Sequence, residues 1–152
     1  MTGAGEGGAG TGAPYTLLAF LTTTCAPCQP LWERLASSPP GRGRGVALAV
    51  VTPSPALEDE RAALHLTPPG VTLHMASETW FSYGVGQAGT FVLVRNRAGE
   101  AMPWEATGEV LGSAVVSDPA QLEDKVAAWL GRAAGRRDSV ASGTVPPGGR
   151  LP

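Results

Sequence analysis

Apolar residues fall along this chain in short dense runs, broken by glycine, proline and polar stretches, and their spacing changes from run to run. Tyr15 to Leu21 is almost wholly apolar over a length that suits a buried strand, with Gly and Pro before it and threonines after it. From Cys28 the spacing turns helical, placing Cys28, Leu31 or Trp32, and Leu35 on one face. Ser37-Ser-Pro-Pro-Gly41 and the following Gly/Arg loop to Gly45 end that helix. Val46 to Val51 predicts a second buried strand, closed by Pro53 and Pro55. Ala56 to Leu64 reads as a short helix with Leu57 and Leu64 facing inward and Glu58, Asp59 and Glu60 on its solvated face. Val71 to Met75 predicts a third strand. Ser77 to Tyr83 predicts a helix opened by a capping box in which Trp80 stands where Glu would be ideal.

Thr90 to Val94, β-branched and apolar, predicts a further strand. A turn at residues 96–99 and strands near 101–105 and 110–116 complete a hairpin. The last helix is marked at its start by Asp118 as cap, Pro119 at the first helical position and Gln121 completing the box. Leu122, Val126, Trp129 and Leu130 form its apolar stripe, and Gly131 or Gly135 is the expected end. The order strand, helix, strand, helix, strand, hairpin, helix implies a parallel βαβ half and an antiparallel pair. The fold class is α/β, a central mixed β-sheet with helices on both faces.

Composition narrows the functions available. At 152 residues and 43% hydrophobic content the chain suits a single core, expected over residues 15–134. Residues 1–14, nearly all Gly, Ala and Thr, read as a flexible leader, and 135–152 as a disordered tail. A net charge of −2 with no basic stripe argues against nucleic acid as a partner. The Gly/Arg loop lacks the Gly-Lys-Ser/Thr ending of a phosphate loop. No run approaches the ~18–20 apolar residues of a membrane span. The start of the chain lacks the basic and apolar regions of a signal peptide, so the chain as written would stay in the cytoplasm.

The candidate chemistry lies at Cys25-Ala26-Pro27-Cys28, which holds both cysteines of the chain at the strand-to-helix transition. The positive end of a helix dipole and its unpaired N–H groups favour a thiolate there, and the thiolate is the nucleophile. Pro27 suits a first helical turn, and Pro30 kinks the helix or is absorbed in that turn. Thr24 tunes Cys25 or is only a polar link. A structural thiol pair is the alternative. Zinc is disfavoured because His65 and His74 lack finger spacing, and haem attachment because Gln29, not His, follows Cys28. The four tryptophans are read as core anchors, although Trp80, Phe81 and Tyr83 would also suit a groove beside Cys25.

Three segments together resemble the thioredoxin-like superfamily, over about residues 15–132. They are Leu17 to Cys28, Tyr83-Gly-Val-Gly-Gln-Ala-Gly-Thr-Phe-Val-Leu-Val94, and the Arg97-Ala-Gly-Glu100 turn. The long interval between Cys28 and Gly89 is similar to the insert of the TlpA/ResA-like and MauD-like branch, whose members act outside the cytoplasm, often membrane-tethered. The resemblance implies thiol–disulfide exchange with Cys25 attacking and Cys28 resolving. It also implies a substrate-binding loop at Ala88, Gly89 and Thr90. No cofactor beyond the Cys25–Cys28 pair and no metal are implied. The implied partners are a protein disulfide and a thiol or membrane-linked reductant, met by a monomer, or by an anchored domain if an anchor has been removed. The chain departs from the pattern in three places. Gly89 stands where the family has a cis-proline, Ala19 where thioredoxin has a buried Asp, and Thr24 where it has Trp. A cis bond before a non-proline residue costs ~2.5–4 kcal/mol, so a differently shaped loop is expected at Gly89. That departure keeps open a non-catalytic interaction module or redox sensor on the same fold. Peroxide reduction is disfavoured because no proline precedes Thr22-Thr-Thr24 in the peroxiredoxin pattern.

Overall fold

The computed structural model describes residues 13–41, 43–96 and 109–141, with side chains as far as 134. Five strands form one sheet: β1 (Tyr15–Phe20), β2 (Val46–Thr52), β3 (Thr72–Met75), β4 (Thr90–Arg95) and β5 (Glu109–Val115), in the order β3-β2-β1-β4-β5. β1, β2 and β3 are parallel, while β4 and β5 are antiparallel additions beside β1. The α-helices are α1 (Gln29–Ser37), α2 (Glu60–Leu66), α3 (Ser77–Ser82) and α4 (Leu122–Ala141). The fold is the expected α/β arrangement, a mixed sheet covered by helices on both faces.

β1 has a neighbour on each edge and a helical layer on each face, which is why its sequence is an unbroken apolar run rather than an alternation. Leu17, Ala19 and Leu21 point into the larger core, where Leu31, Trp32 and Leu35 of α1 meet Leu122, Val126 and Trp129 of α4. Leu18 and Phe20 point the other way, to Ala49, Val51, Val92 and Val94, with Trp80, Tyr83 and Val85 packed over them. The Phe20 and Trp80 rings meet edge-on with centroids 5.4 Å apart. Leu111 is the extra residue of a bulge in β5, and it turns inward to the larger core. Beside it Gly112 leaves room for the Trp129 indole, which a Cβ would strike at 2.3 Å.

Arg34 ties α1 to the start of α4. Its guanidinium donates to the Pro119 carbonyl at 3.1 Å and to its own helix end at Ser38. Asp118 caps as expected, accepting from Ala120 N–H across a 3₁₀ turn, Pro119–Gln121, that leads into α4.

Four expectations are corrected. The helix expected from Ala56 begins at Glu60, capped by the Asp59 carboxylate on Ala62 N–H, and the chain before it is a turn. Leu57 therefore lies outside the helix and is 75% exposed, and Leu64 is exposed because the buried face of the seven-residue helix runs through Ala63 instead. Glu58, expected in solvent, is buried. Ser77 caps nothing. Ala76 is the N-cap of α3, and the Ser77 hydroxyl accepts from Ser54 N–H across the sheet end. α4 continues past both Gly131 and Gly135 to Ala141, since a glycine weakens a helix by only about 1 kcal/mol and does not forbid it. The strand expected at 101–105, the turn to Glu100 and Trp104 lie outside the described residues. Among those described, Trp32 and Trp129 are core anchors and Trp80 is half-buried.

Candidate functional site

β1 delivers the chain to the end of the sheet at Leu21, and Thr22–Thr24 carry it across to Cys25. Cys25 is extended (φ −83°, ψ 114°) and caps a single 3₁₀ turn, Ala26–Cys28, that runs directly into α1. Its carbonyl accepts the Cys28 N–H at 3.0 Å. Pro27 is the second residue of the short turn and Pro30 is absorbed in the first turn of α1, where neither needs an N–H. The Trp32 indole donates to the Thr22 carbonyl at 3.1 Å, fastening α1 to the link that precedes the cysteines.

This geometry makes the two sulfurs unequal. Cys25 is half-buried at the surface, whereas Cys28 is 1% exposed within the larger core. Burial pushes the Cys28 thiol up to about 12, and the Cys25 thiol beside it and the negative charge of Cys25 and Glu58 push the same way. A bond from the Thr22 backbone opposes them.

Glu58 is the residue that sequence reasoning missed. Only 8% exposed, it accepts the Thr23 backbone N–H at 2.6 Å and so braces the link leading to Cys25. Treating Asp59 as a helix cap would have placed Glu58 outside the helix and left it able to turn inward. It comes from the loop after β2, a different element from Ala19 on β1, and its charge acts on Cys28.

A cavity of about 200 Å³ opens beside the sulfurs. Cys25, Pro27, Cys28 and Leu31 form one wall, and residues 87–89 and 115–117 form the other. Of the expected loop residues, Ala88 and Gly89 line it. Thr90 does not. It is buried, its hydroxyl donates to the Gln87 carbonyl at 2.7 Å, and it lines a second cavity instead. Thr24 is exposed and does not line the cavity. Trp80 and Tyr83 are on the opposite face of the sheet and Phe81 is 83% exposed, so none of the three lines the groove beside Cys25. Gln87 and residues 115–117, the end of β5 and the two residues after it, gave no local signal for this site. They reach the site only through the pairing of Thr90 with Val115.

Gly89 has a φ of +95°, which proline's ring excludes. Its N–H donates to the Phe20 carbonyl at 2.8 Å and its carbonyl accepts from Val116 N–H at 2.9 Å. The loop is thus differently shaped, as expected, and is stitched to the end of β1 through an N–H that proline would lack. Among the described residues no three or more His, Cys, Asp or Glu side chains gather where they would hold a metal ion. No helix among them is long and apolar enough to cross a membrane.

No family model matches the chain, and no curated protein matches it. Solved structures do. A thioredoxin-like protein from Aeropyrum pernix aligns with a TM-score of 0.55 at 13% identity, over 77% of this chain and 78% of that one. StoA from Bacillus subtilis aligns with a TM-score of 0.52 at 19% identity, over 78% and 83%. The conserved protein BF1870 of unknown function from Bacteroides fragilis gives 0.52 at 18% identity, over 75% and 80%. At such identities the likeness is one of fold, and the fold is thioredoxin-like.

Proposed function

We propose that this protein is a thiol–disulfide oxidoreductase acting on protein disulfides. The observation that carries the reading is the pairing of unequal thiols: a half-buried Cys25 lining a cavity, beside a Cys28 held protonated by burial. The likeness of fold to StoA supports the same reading and the TlpA/ResA-like branch.

In the reducing direction Cys25, deprotonated, attacks one sulfur of a substrate disulfide. The substrate S–S bond breaks, a mixed disulfide forms, and the departing thiolate takes up a proton. Cys28 then gives up its proton and attacks the Cys25 sulfur. The mixed disulfide breaks, the second substrate thiol leaves, and Cys25 and Cys28 are joined. Two electrons and two protons have passed to the substrate. A thiol or membrane-linked reductant restores the pair, and with the driving force reversed the same steps oxidise a dithiol. Until Cys25 is engaged, the high proton affinity of Cys28 holds the second nucleophile in reserve. Pro27, Ala88 and Gly89 form the walls against which the substrate chain lies, and Thr24 flanks the approach.

The shape of the loop at Gly89 favours one rival, an interaction module or redox sensor on this fold that binds without turnover. A redox titration with glutathione, counting alkylated cysteines by mass spectrometry, separates the two in stages. A single two-electron transition between zero and two alkylated cysteines supports exchange, and its midpoint gives the direction of electron flow. Cysteines that never pair refute it. Turnover of a disulfide substrate, abolished in Cys25→Ser, then distinguishes an enzyme from a sensor.

A further inference from the structure

The cavity beside Cys25 is small. Its 200 Å³ lies below the ~300–1,000 Å³ of sites that hold a whole ligand. A second cavity of about 470 Å³ adjoins it, and Gln87 and Val115 line both. The two lie side by side at the paired ends of β4 and β5, with Gln87 and Val115 between them.

The second cavity arises from the topology. β5 is an edge strand, and Ser113 and Val115 pair directly with Val92 and Thr90 of β4, so their side chains share the sheet face of Phe20 and Val92. Residues 84–87, which lead from α3 into β4, stand over that face as the facing wall. Val115 remains 47% exposed and Ser113 is exposed. Gly84 and Gly86 have nothing within 4 Å of where a Cβ would stand, and glycines so placed let another backbone come close. The wall is already set, because Gly84 and Val85 donate to the Phe81 and Trp80 carbonyls and Thr90 holds Gln87. Apart from Val85, Ala114 and Val115 the lining is glycine, amide and hydroxyl, and none of it is charged.

Resting on the exchange reading above, we infer that this second cavity binds the segment of the substrate polypeptide next to the attacked cysteine, as an extended, uncharged stretch of small or hydroxylated residues. Adjacency to the sulfur site selects a polypeptide over a separate small molecule, since a chain held at Cys25 and running toward β5 passes over Gln87 and Val115 into the second cavity. The uncharged lining disfavours acidic or basic flanks, whose desolvation nothing there would offset. The protein would thus select substrates by the sequence around the disulfide as well as by the disulfide itself.

The test compares two oxidised probes. One is the symmetric disulfide of a ten-residue peptide with a central Cys and only Ala, Ser, Thr and Val around it. The other is 2-hydroxyethyl disulfide, too small to leave the sulfur site. Ser113→Trp fills the second cavity from the strand, and Gly86→Phe fills it from the loop, where the space is open and the backbone is not left-handed. In both variants the ratio of kcat/KM for peptide to that for the small disulfide should fall at least about tenfold, a loss of ~1.4 kcal/mol in relative binding, carried mainly by KM. A ratio within about twofold of the parent's in both variants overturns the inference. If Ser113→Trp fails to fold, Gly86→Phe decides it. A parent protein that neither reduces these probes nor oxidises the corresponding thiols refutes the exchange reading instead, which the ratio cannot do.

Discussion

Glu58 accepts the backbone N–H of Thr23 at 2.6 Å, bringing a carboxylate from the loop after β2 to the link that sets Cys25. A hydrogen bond to a charged group contributes about 1.5–3 kcal/mol. Glu58→Ala should therefore destabilise the fold by about 2 kcal/mol, and Glu58→Gln, which keeps an acceptor, by much less. Denaturant unfolding checks both. Because the Glu58 charge raises the Cys28 pKa, Glu58→Gln should also let Cys28 ionise at lower pH, read by thiolate absorbance at 240 nm.

Gly89→Pro should not restore a familiar thioredoxin loop. The φ of +95° is closed to proline and the N–H given to Phe20 would be lost, so a cost of about 3 kcal/mol or more is expected. Gly89→Ala keeps the N–H and meets only ordinary contacts at its Cβ, so it should cost about 1–2 kcal/mol through φ alone. Unfolding midpoints that rank the proline variant above the alanine variant would contradict this account of the loop.

The raised Cys28 pKa makes the reduced protein sensitive to alkali. Between the ordinary thiol value of 9.0 and the folded value of about 12, the unfolded chain has lost the proton and the folded chain keeps it. The unfolded state then binds fewer protons, so stability is full below about pH 9 and falls as pH rises through that window. Tyr83, also raised by burial to about 12, adds its own loss above pH 10. Unfolding midpoints of reduced protein from pH 8 to 10 should decline in the parent and stay nearly flat in Cys28→Ala. Iodoacetamide at pH 7.5 should modify Cys25 and spare Cys28.

His74 gives the opposite slope. Burial lowers its pKa below the usual 6.5, partly offset by the Glu78 charge, while its Nε2 pairs with the Thr79 hydroxyl at 3.0 Å. Below pH 6.5 the unfolded chain takes up a proton that the folded chain resists. Its contribution is therefore present above about 6.5 and lost as pH falls through the folded value. His74→Gln should flatten stability between pH 6.5 and 5, and an unchanged slope would show that other groups dominate there.

Much of the fold was legible in the residues themselves. An unbroken apolar run such as Leu17–Leu21 is required of any strand covered on both faces, and Cys28, Leu31 and Leu35 repeat at the helical period. The cysteine pair was legible for the same local reason, since its place at a strand-to-helix turn follows from sequence neighbours. α2 was misplaced because Leu57 and Leu64 match a helical spacing, while the Asp59 cap that starts the helix later is a single hydrogen bond. The end of α4 was misplaced because a glycine's cost is small enough for the rest of a helix to override.

Local pattern therefore decided the elements, the two faces of β1 and the position of both sulfurs. Only the folded chain decided their surroundings. Glu58 lies 35 residues from its partner Thr23, and the far wall of the cavity exists because β4 pairs with β5 and brings Val115 and Val116 opposite Cys25. The depth of Cys28, and with it the inequality of the two thiols, comes from its place in the larger core, which distant segments from β1 to α4 assemble together. Periodicity records which side of an element is apolar. It carries no record of which distant segment covers that side, because those contacts form between residues that share no local spacing.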